Sequence, residues 1–249
     1  MVRTAISQYS RLKIRNVPYS VKTATAISVY TNTNNVADPS TGAFTLEMFL
    51  YPTAVAISSM NVYSQQDGTG TGRSWLFATA ANPDYYLTLL GGVQKDTGIR
   101  IIPNKWQTIY CVYDGATTVT FYRMSGTTLN TGTTLTITPE SATGIHVIGA
   151  NKNGINPFPM YYTTTRFWTG VAKTPTELKE SYFNDYRDRT GLTDEFLFTE
   201  GSGTTIANTG SRGGNGTLTT GSQWQSTNTP FKSRVAVSGR VAVSGRVTP

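Results

Sequence analysis

Trp106-Gln107-Thr108-Ile109-Tyr110-Cys111-Val112-Tyr113-Asp114-Gly115, returning as Val119-Thr120-Phe121-Tyr122-Arg123-Met124-Ser125-Gly126, reads as a β-hairpin. β-branched and aromatic residues dominate both arms, as a pleated, half-buried surface requires, and Asp-Gly is a strong turn signal between such runs. Working outward, Phe44-Thr45-Leu46-Glu47-Met48-Phe49-Leu50-Tyr51 alternates, so Phe44, Leu46, Met48 and Leu50 share one face and Thr45, Glu47, Phe49 and Tyr51 the other; Pro52 closes it. Ala26 to Tyr30, Trp75 to Ala78, Tyr85 to Leu90, Thr133 to Thr138 and Ile145 to Ile148 add further strands between polar turns, a spacing typical of a sandwich or barrel.

The composition agrees. Of 249 residues, 38% are hydrophobic and only 14% charged, while about one in six is threonine and 24 are glycine. This excludes a helical bundle, and no apolar run is long enough for a membrane-spanning helix. Met1 to Tyr9 carries Arg3 with no apolar run behind it, so no secretory signal is expected. A single cysteine, Cys111, excludes an internal disulfide and reads as a small buried hydrophobe; the single histidine, His146, lies in the apolar run Ile145-His146-Val147-Ile148 and reads as a core or edge residue. One helix is expected. Thr174-Pro175-Thr176-Glu177 supplies an N-cap, a proline at the first helical position and a capping-box glutamate. Leu178, Tyr182 and Tyr186 repeat on one face, Arg187-Asp188-Arg189 would occupy the last turn, and Gly191 would stop it.

The hairpin, the strand Phe44 to Pro52, the later Val147-Ile148-Gly149-Ala150 and the closing Phe167-Trp168-Thr169-Gly170-Val171-Ala172-Lys173-Thr174-Pro175 together resemble the laminin-G-like, concanavalin A-like jelly-roll domains, over roughly residues 26–190. The resemblance implies an all-β jelly-roll sandwich with one short helix. Phe196-Leu197-Phe198-Thr199-Glu200-Gly201-Ser202-Gly203, with Trp224 behind it, is similar to the segment that usually opens such domains, yet here it comes last. Either the fold is circularly permuted or this segment pairs with a neighbouring copy. Relatives of this kind include sugar binders, adhesion modules, glycosidases and inert structural units, so the fold confers no activity by itself. The alternating carboxylates of the glycosidases are missing: Glu47 stands alone on its strand, and Asp194-Glu195 fall on opposite faces if extended. Asp67, Asp84, Asp96 and Asp114 are scattered turn residues rather than calcium ligands. No enzyme activity, cofactor or metal is expected.

Charge is segregated. The net +7 comes from the ends: Arg3, Arg11, Lys13, Arg15 and Lys22 precede the first acid, Asp38, and Lys232, Arg234, Arg240 and Arg246 follow Phe231 with no acid among them. Residues 1–25 show little periodicity and read as a basic arm, 26–231 as the sandwich, and 232–249 as a tail. That tail repeats every six residues, Arg234-Val235-Ala236-Val237-Ser238-Gly239 then Arg240-Val241-Ala242-Val243-Ser244-Gly245 then Arg246-Val247. In an extended strand Val235, Val237, Val241, Val243 and Val247 share one side while Arg234, Arg240 and Arg246 share the other. A valine stripe of this kind needs a cover, which donating the strand to another sheet would provide. A disordered tail is the plainer alternative. The tail residues and Arg11, Lys13 and Arg15 are therefore the candidate assembly residues.

A jelly roll with two such arms, no disulfide and no signal resembles a bacteriophage virion structural protein: a capsid decoration, head-fibre or tail component. Its expected partners are other virion proteins or copies of itself, with neither nucleic acid nor membrane expected. The alternative is a carbohydrate-binding or adhesion module at an extracellular surface recognising host glycans. Its candidate residues are Tyr85-Tyr86 and Tyr161-Tyr162, each pair placing one ring on each face, and Trp168.

Overall fold

A computed structural model describes residues 19–23, 29–31, 42–54, 60–66, 73–79, 85–90, 93–137, 145–150, 157–184, 188–218 and 224–226. The candidate assembly residues Arg11, Lys13, Arg15, Arg234, Val235, Val237, Arg240, Val241, Val243, Arg246 and Val247 lie outside them.

In chain order the strands are β1 (Tyr19–Thr23), β2 (Val29–Thr31), β3 (Phe44–Pro52), β4 (Met60–Gln66), β5 (Arg73–Thr79), β6 (Tyr85–Leu90), β7 (Val93–Arg100), β8 (Gln107–Tyr113), β9 (Thr118–Ser125), β10 (Thr128–Thr136), β11 (Ile145–Ile148) and β12 (Met160–Thr169). The helix α1 (Pro175–Asn184) follows, then β13 (Leu192–Phe196), β14 (Thr205–Ile206), β15 (Gly216–Leu218) and β16 (Trp224–Ser226). One sheet runs β10-β9-β8-β3-β12-β1-β16, with β13 also pairing β12; the other runs β14-β15-β2-β11-β4-β5-β6-β7. Every pairing between these strands is antiparallel. This is the expected jelly-roll sandwich with one short helix.

The alternation of β3 works as read. Phe44, Leu46, Met48 and Leu50 join Ile109, Cys111, Phe121, Ile148 and Phe167 between the sheets. The opposite face is covered too. Glu47 and Phe49 are buried, and Tyr110, Val112 and Met124 pack under Leu178 of α1, with Tyr122, Tyr182 and Phe183 at the margin. The helix is thus a third layer on the outer face of the first sheet, and β8 is buried along its whole length. The capping box is in place: Thr174 N and Oγ1 both donate to Glu177 Oε2 at 2.7 Å, and Glu177 N donates back to Thr174 Oγ1 at 3.4 Å. The described helix ends at Asn184. Arg189 is therefore not in its last turn but reaches Glu195 instead, and Tyr186 and Arg187 fall outside the described residues.

Three placements differ from the sequence reading or complete it. Tyr19–Thr23, inside the stretch read as an arm, is a strand between β12 and β16, with Val21 reaching the inter-sheet core. Two hydrophobic residues in five, Tyr19 and Val21, are too few to show a period. The late segment pairs within its own chain, β13 with β12, β15 with β2 and β16 with β1, so no neighbouring copy is needed. At the far edge β7 and β10 close the sandwich. Gly132 passes so near Thr97 that a Cβ there would lie 2.1 Å from its carbonyl oxygen, and Lys95 Nζ and Arg123 Nη1 donate to the carbonyls of Thr136 and Arg100 across the gap.

Candidate functional site

Register creates a row of rings at one end of the first sheet's outer face. Lys22 on β1 lies opposite Tyr161 on β12, and Tyr161 lies opposite Tyr51 on β3. Leu50 pairs with Gln107, so Trp106, one residue before, comes level with Tyr51. Ring centroids are 5.5 Å apart for Trp106 and Tyr51 and 5.9 Å for Tyr51 and Tyr161, and Lys22 Nζ stands 5.9 Å from the Tyr161 centroid. All four side chains are half-buried. Phe49 braces Trp106 from the buried side at 4.8 Å, and Tyr182 meets Phe49 edge-on at 6.4 Å, where the helix layer ends. Neither the Tyr51 nor the Tyr161 hydroxyl bonds to a described residue, and the Lys22 ammonium has no carboxylate partner among the described residues. Half-buried rings in mutual contact, with phenol groups not bonded to a described residue, are suited to a ligand that offers both C–H faces and hydroxyl groups.

Of the residues singled out in the sequence, Tyr161 belongs to this row. Tyr162 does not, because the same alternation turns it inward: it is 0% exposed, edge-on to Phe198 at 5.0 Å, and burial pushes its phenol above the usual range. Trp168 is 1% exposed, with Lys173 Nζ 4.5 Å from the centroid of its ring. Neither offers a face to a ligand. Tyr85 and Tyr86 belong to β6 in the other sheet, so they do not join Tyr161; their side chains lie outside the described residues. Sequence reasoning missed Tyr51 and Trp106. Tyr51 carried a signal, an aromatic on the face opposite Leu50 at a strand end, but only the register brings the three rings together.

Two polar clusters lie elsewhere in the sandwich. In the outer layer, Glu47, Arg166 and Glu195 sit in one cross-strand row. Arg166 reaches Glu47 Oε1 at 3.3 Å and Glu195 Oε1 at 2.8 Å; Glu47 Oε2 accepts from Ser181 of α1, and Glu195 Oε2 accepts from Arg189 and Thr209 at 2.7 and 2.6 Å. Burial pushes the Glu195 carboxyl up, but the Thr209 hydroxyl and the two guanidiniums outweigh it and hold it below its ordinary value. Every carboxylate oxygen is engaged, so the row clamps helix to sheet. Between the sheets, Tyr63 and His146 share a hydrogen bond, and Asp194 accepts from Asn208 at 2.9 Å and pairs with Arg212 at 3.2 Å. The cavity they line with Leu46, Thr165 and Phe167 is about 10 Å³, large enough for little more than one water. Among the described residues no three His, Cys, Asp or Glu groups gather as metal ligands. Asp114 instead accepts from the amides of Ala116, Thr117 and Thr118, and Asp96 from that of Gly98.

The laminin-G-like family of the concanavalin A-like lectin/glucanases superfamily matches residues 24–179, well over half of the chain. The chain belongs to that superfamily. Among solved structures, this superfamily member is similar to a proposed carbohydrate-binding protein from Bacteroides ovatus, with a TM-score of 0.65 and 15% identity over 86% of this chain and 61% of that one. It is also similar to a heptameric SAP-like pentraxin from Limulus polyphemus, with a TM-score of 0.53 and 13% identity over 80% of this chain and 94% of that one. The superfamily member thus spans about three fifths of the length of the Bacteroides protein. At these identities the likeness is one of fold. No curated protein matches its sequence.

Proposed function

We propose that this concanavalin A-like domain is a non-catalytic carbohydrate-binding module whose contact surface is the row Trp106, Tyr51 and Tyr161. The observation that carries the reading is the half-exposed row itself, braced by Phe49 and carrying two phenol groups with no bond to a described residue. The superfamily, and the description of the Bacteroides ovatus protein, support sugar over other ligands of mixed polarity. Aromatic anchors at the centre of a contact surface typically carry about 2 kcal/mol or more of binding energy. Trp106→Ala and Tyr161→Ala are each expected to weaken binding in a glycan array and in titration calorimetry by about tenfold or more, with the fold intact by circular dichroism. Undiminished affinity in both variants would remove the row from the site.

The tail repeat favours a second, compatible reading. In it the chain is a virion structural protein that assembles with copies of itself or with other virion proteins through its terminal arms, leaving the sandwich to face outward. Strand donation by residues 232–249 gives that role a physical basis. Removing those residues is expected to turn an oligomer into a monomer in sedimentation analysis. An unchanged mass would count against an assembly role for the tail.

A further inference from the structure

We propose that the occupant of the aromatic row is a single soluble chain of an acidic polysaccharide, laid across strands β8, β3, β12 and β1 with a carboxylate or sulfate at the Lys22 end. This deepens the carbohydrate reading and rests on it.

Three features select this occupant. The row continues without a gap from rings to charge: Trp106, Tyr51, Tyr161 and then the Lys22 ammonium, at successive spacings of 5.5, 5.9 and 5.9 Å. Lys22 is held over the Tyr161 ring and has no carboxylate to satisfy it among the described residues, so an anion one position beyond the last ring completes its pairing. A cation fixed on an aromatic face retains its charge for a ligand while its carbon stem packs against the ring. The rings also turn along the row, by 55° between Trp106 and Tyr51 and 64° between Tyr51 and Tyr161. A flat lattice of packed sugar chains cannot lie on three rings so inclined; one twisting chain can meet each in turn. The exposed Lys105 beside Trp106 adds positive charge at the opposite end of the row.

The test compares affinities of the full chain, its Lys22→Gln variant and its Tyr161→Ala variant on a panel of matched soluble polysaccharides: polygalacturonate against highly methyl-esterified pectin, alginate against neutral mannan, and dextran sulfate against dextran. The expected result is preferential binding to acidic members, weakened about tenfold by Lys22→Gln and about tenfold or more by Tyr161→Ala, whose charge is unchanged. Which acidic members bind separates carboxylate from sulfate. Equal binding to neutral partners, or an unaffected Lys22→Gln variant, overturns the acidic-ligand inference while leaving the carbohydrate reading in place. Acidic binding undiminished in Tyr161→Ala is charge attraction alone and overturns the inference. Absence of binding to every member overturns both readings.

Discussion

Replacing Arg166 with methionine is expected to lower unfolding stability by about 3–5 kcal/mol, a large share of what holds a domain of this size together. Arg166 is 4% exposed and lies between two carboxylates, Glu47 at 0% and Glu195 at 3%. Methionine fills much of the volume but takes away the guanidinium that faces both buried carboxylates; Ser181 still donates to Glu47, and Glu195 keeps Arg189 and Thr209. The cost is therefore mainly that of a buried carboxylate losing its guanidinium partner rather than of lost packing. Denaturant titration would show it as a lower midpoint at unchanged slope. A second measurement separates charge from shape. Adding Glu47→Gln to Arg166→Met should recover part of the loss, because a neutral amide is far cheaper to bury than a carboxylate. If the double variant is no more stable than the single one, the row is held by packing and the electrostatic account is wrong.

The second large effect follows pH. Burial, with Arg212 adding to it, lowers the His146 pKa from its ordinary 6.5 to about 3. Between those two values the unfolded chain binds a proton at this site that the folded chain refuses. Stability from this group is therefore complete above about pH 6.5 and is lost progressively as pH falls toward 3, at up to about 1.4 kcal/mol per pH unit. Asp194, on the same cavity, acts in the opposite direction: burial raises its pKa, so it favours the folded state more at acid pH. The His146 contribution starts to be lost just below pH 6.5, so pH 6.5 to 5 is the interval to follow, and a variant without the imidazole separates the two groups. Thermal melts across that interval should fall steadily for the natural sequence and stay nearly level for His146→Gln, which keeps a polar group facing Tyr63. Parallel slopes for the two proteins would show that His146 is not the group responsible.

Much of this architecture was legible because it is local. The face of β3, the Asp114-Gly115 turn, the capping box at Thr174, and the buried Cys111 and His146 all depend on neighbours within a few residues. What could not be read depends on pairing between distant strands. The alternation in β3 separates Leu46 from Glu47, but nothing local says that the Glu47 face is also covered, since a buried glutamate becomes tenable only once Arg166 arrives from β12. Parity itself fails in β12. The register shifts between Tyr162 and Thr165, so Phe167 points into the inter-sheet core and Trp168 lies level with Thr45 on the outer face, the reverse of uninterrupted counting from Tyr161. Tyr161 and Tyr162 precede that shift, which is why one ring of the pair does lie half-exposed and the other buried. The row that includes Tyr161 then required three strand registers at once, and no spacing along the chain encodes them.

The central claim, that sugar lies on the Trp106 end of this face, is tested most directly through the indole N–H resonances of the four tryptophans during titration with a polysaccharide that binds. The Trp106 signal is expected to shift in proportion to saturation, while that of Trp168, sealed beneath Lys173, stays in place. Saturable binding with the Trp106 resonance unmoved would place the sugar elsewhere and contradict the account.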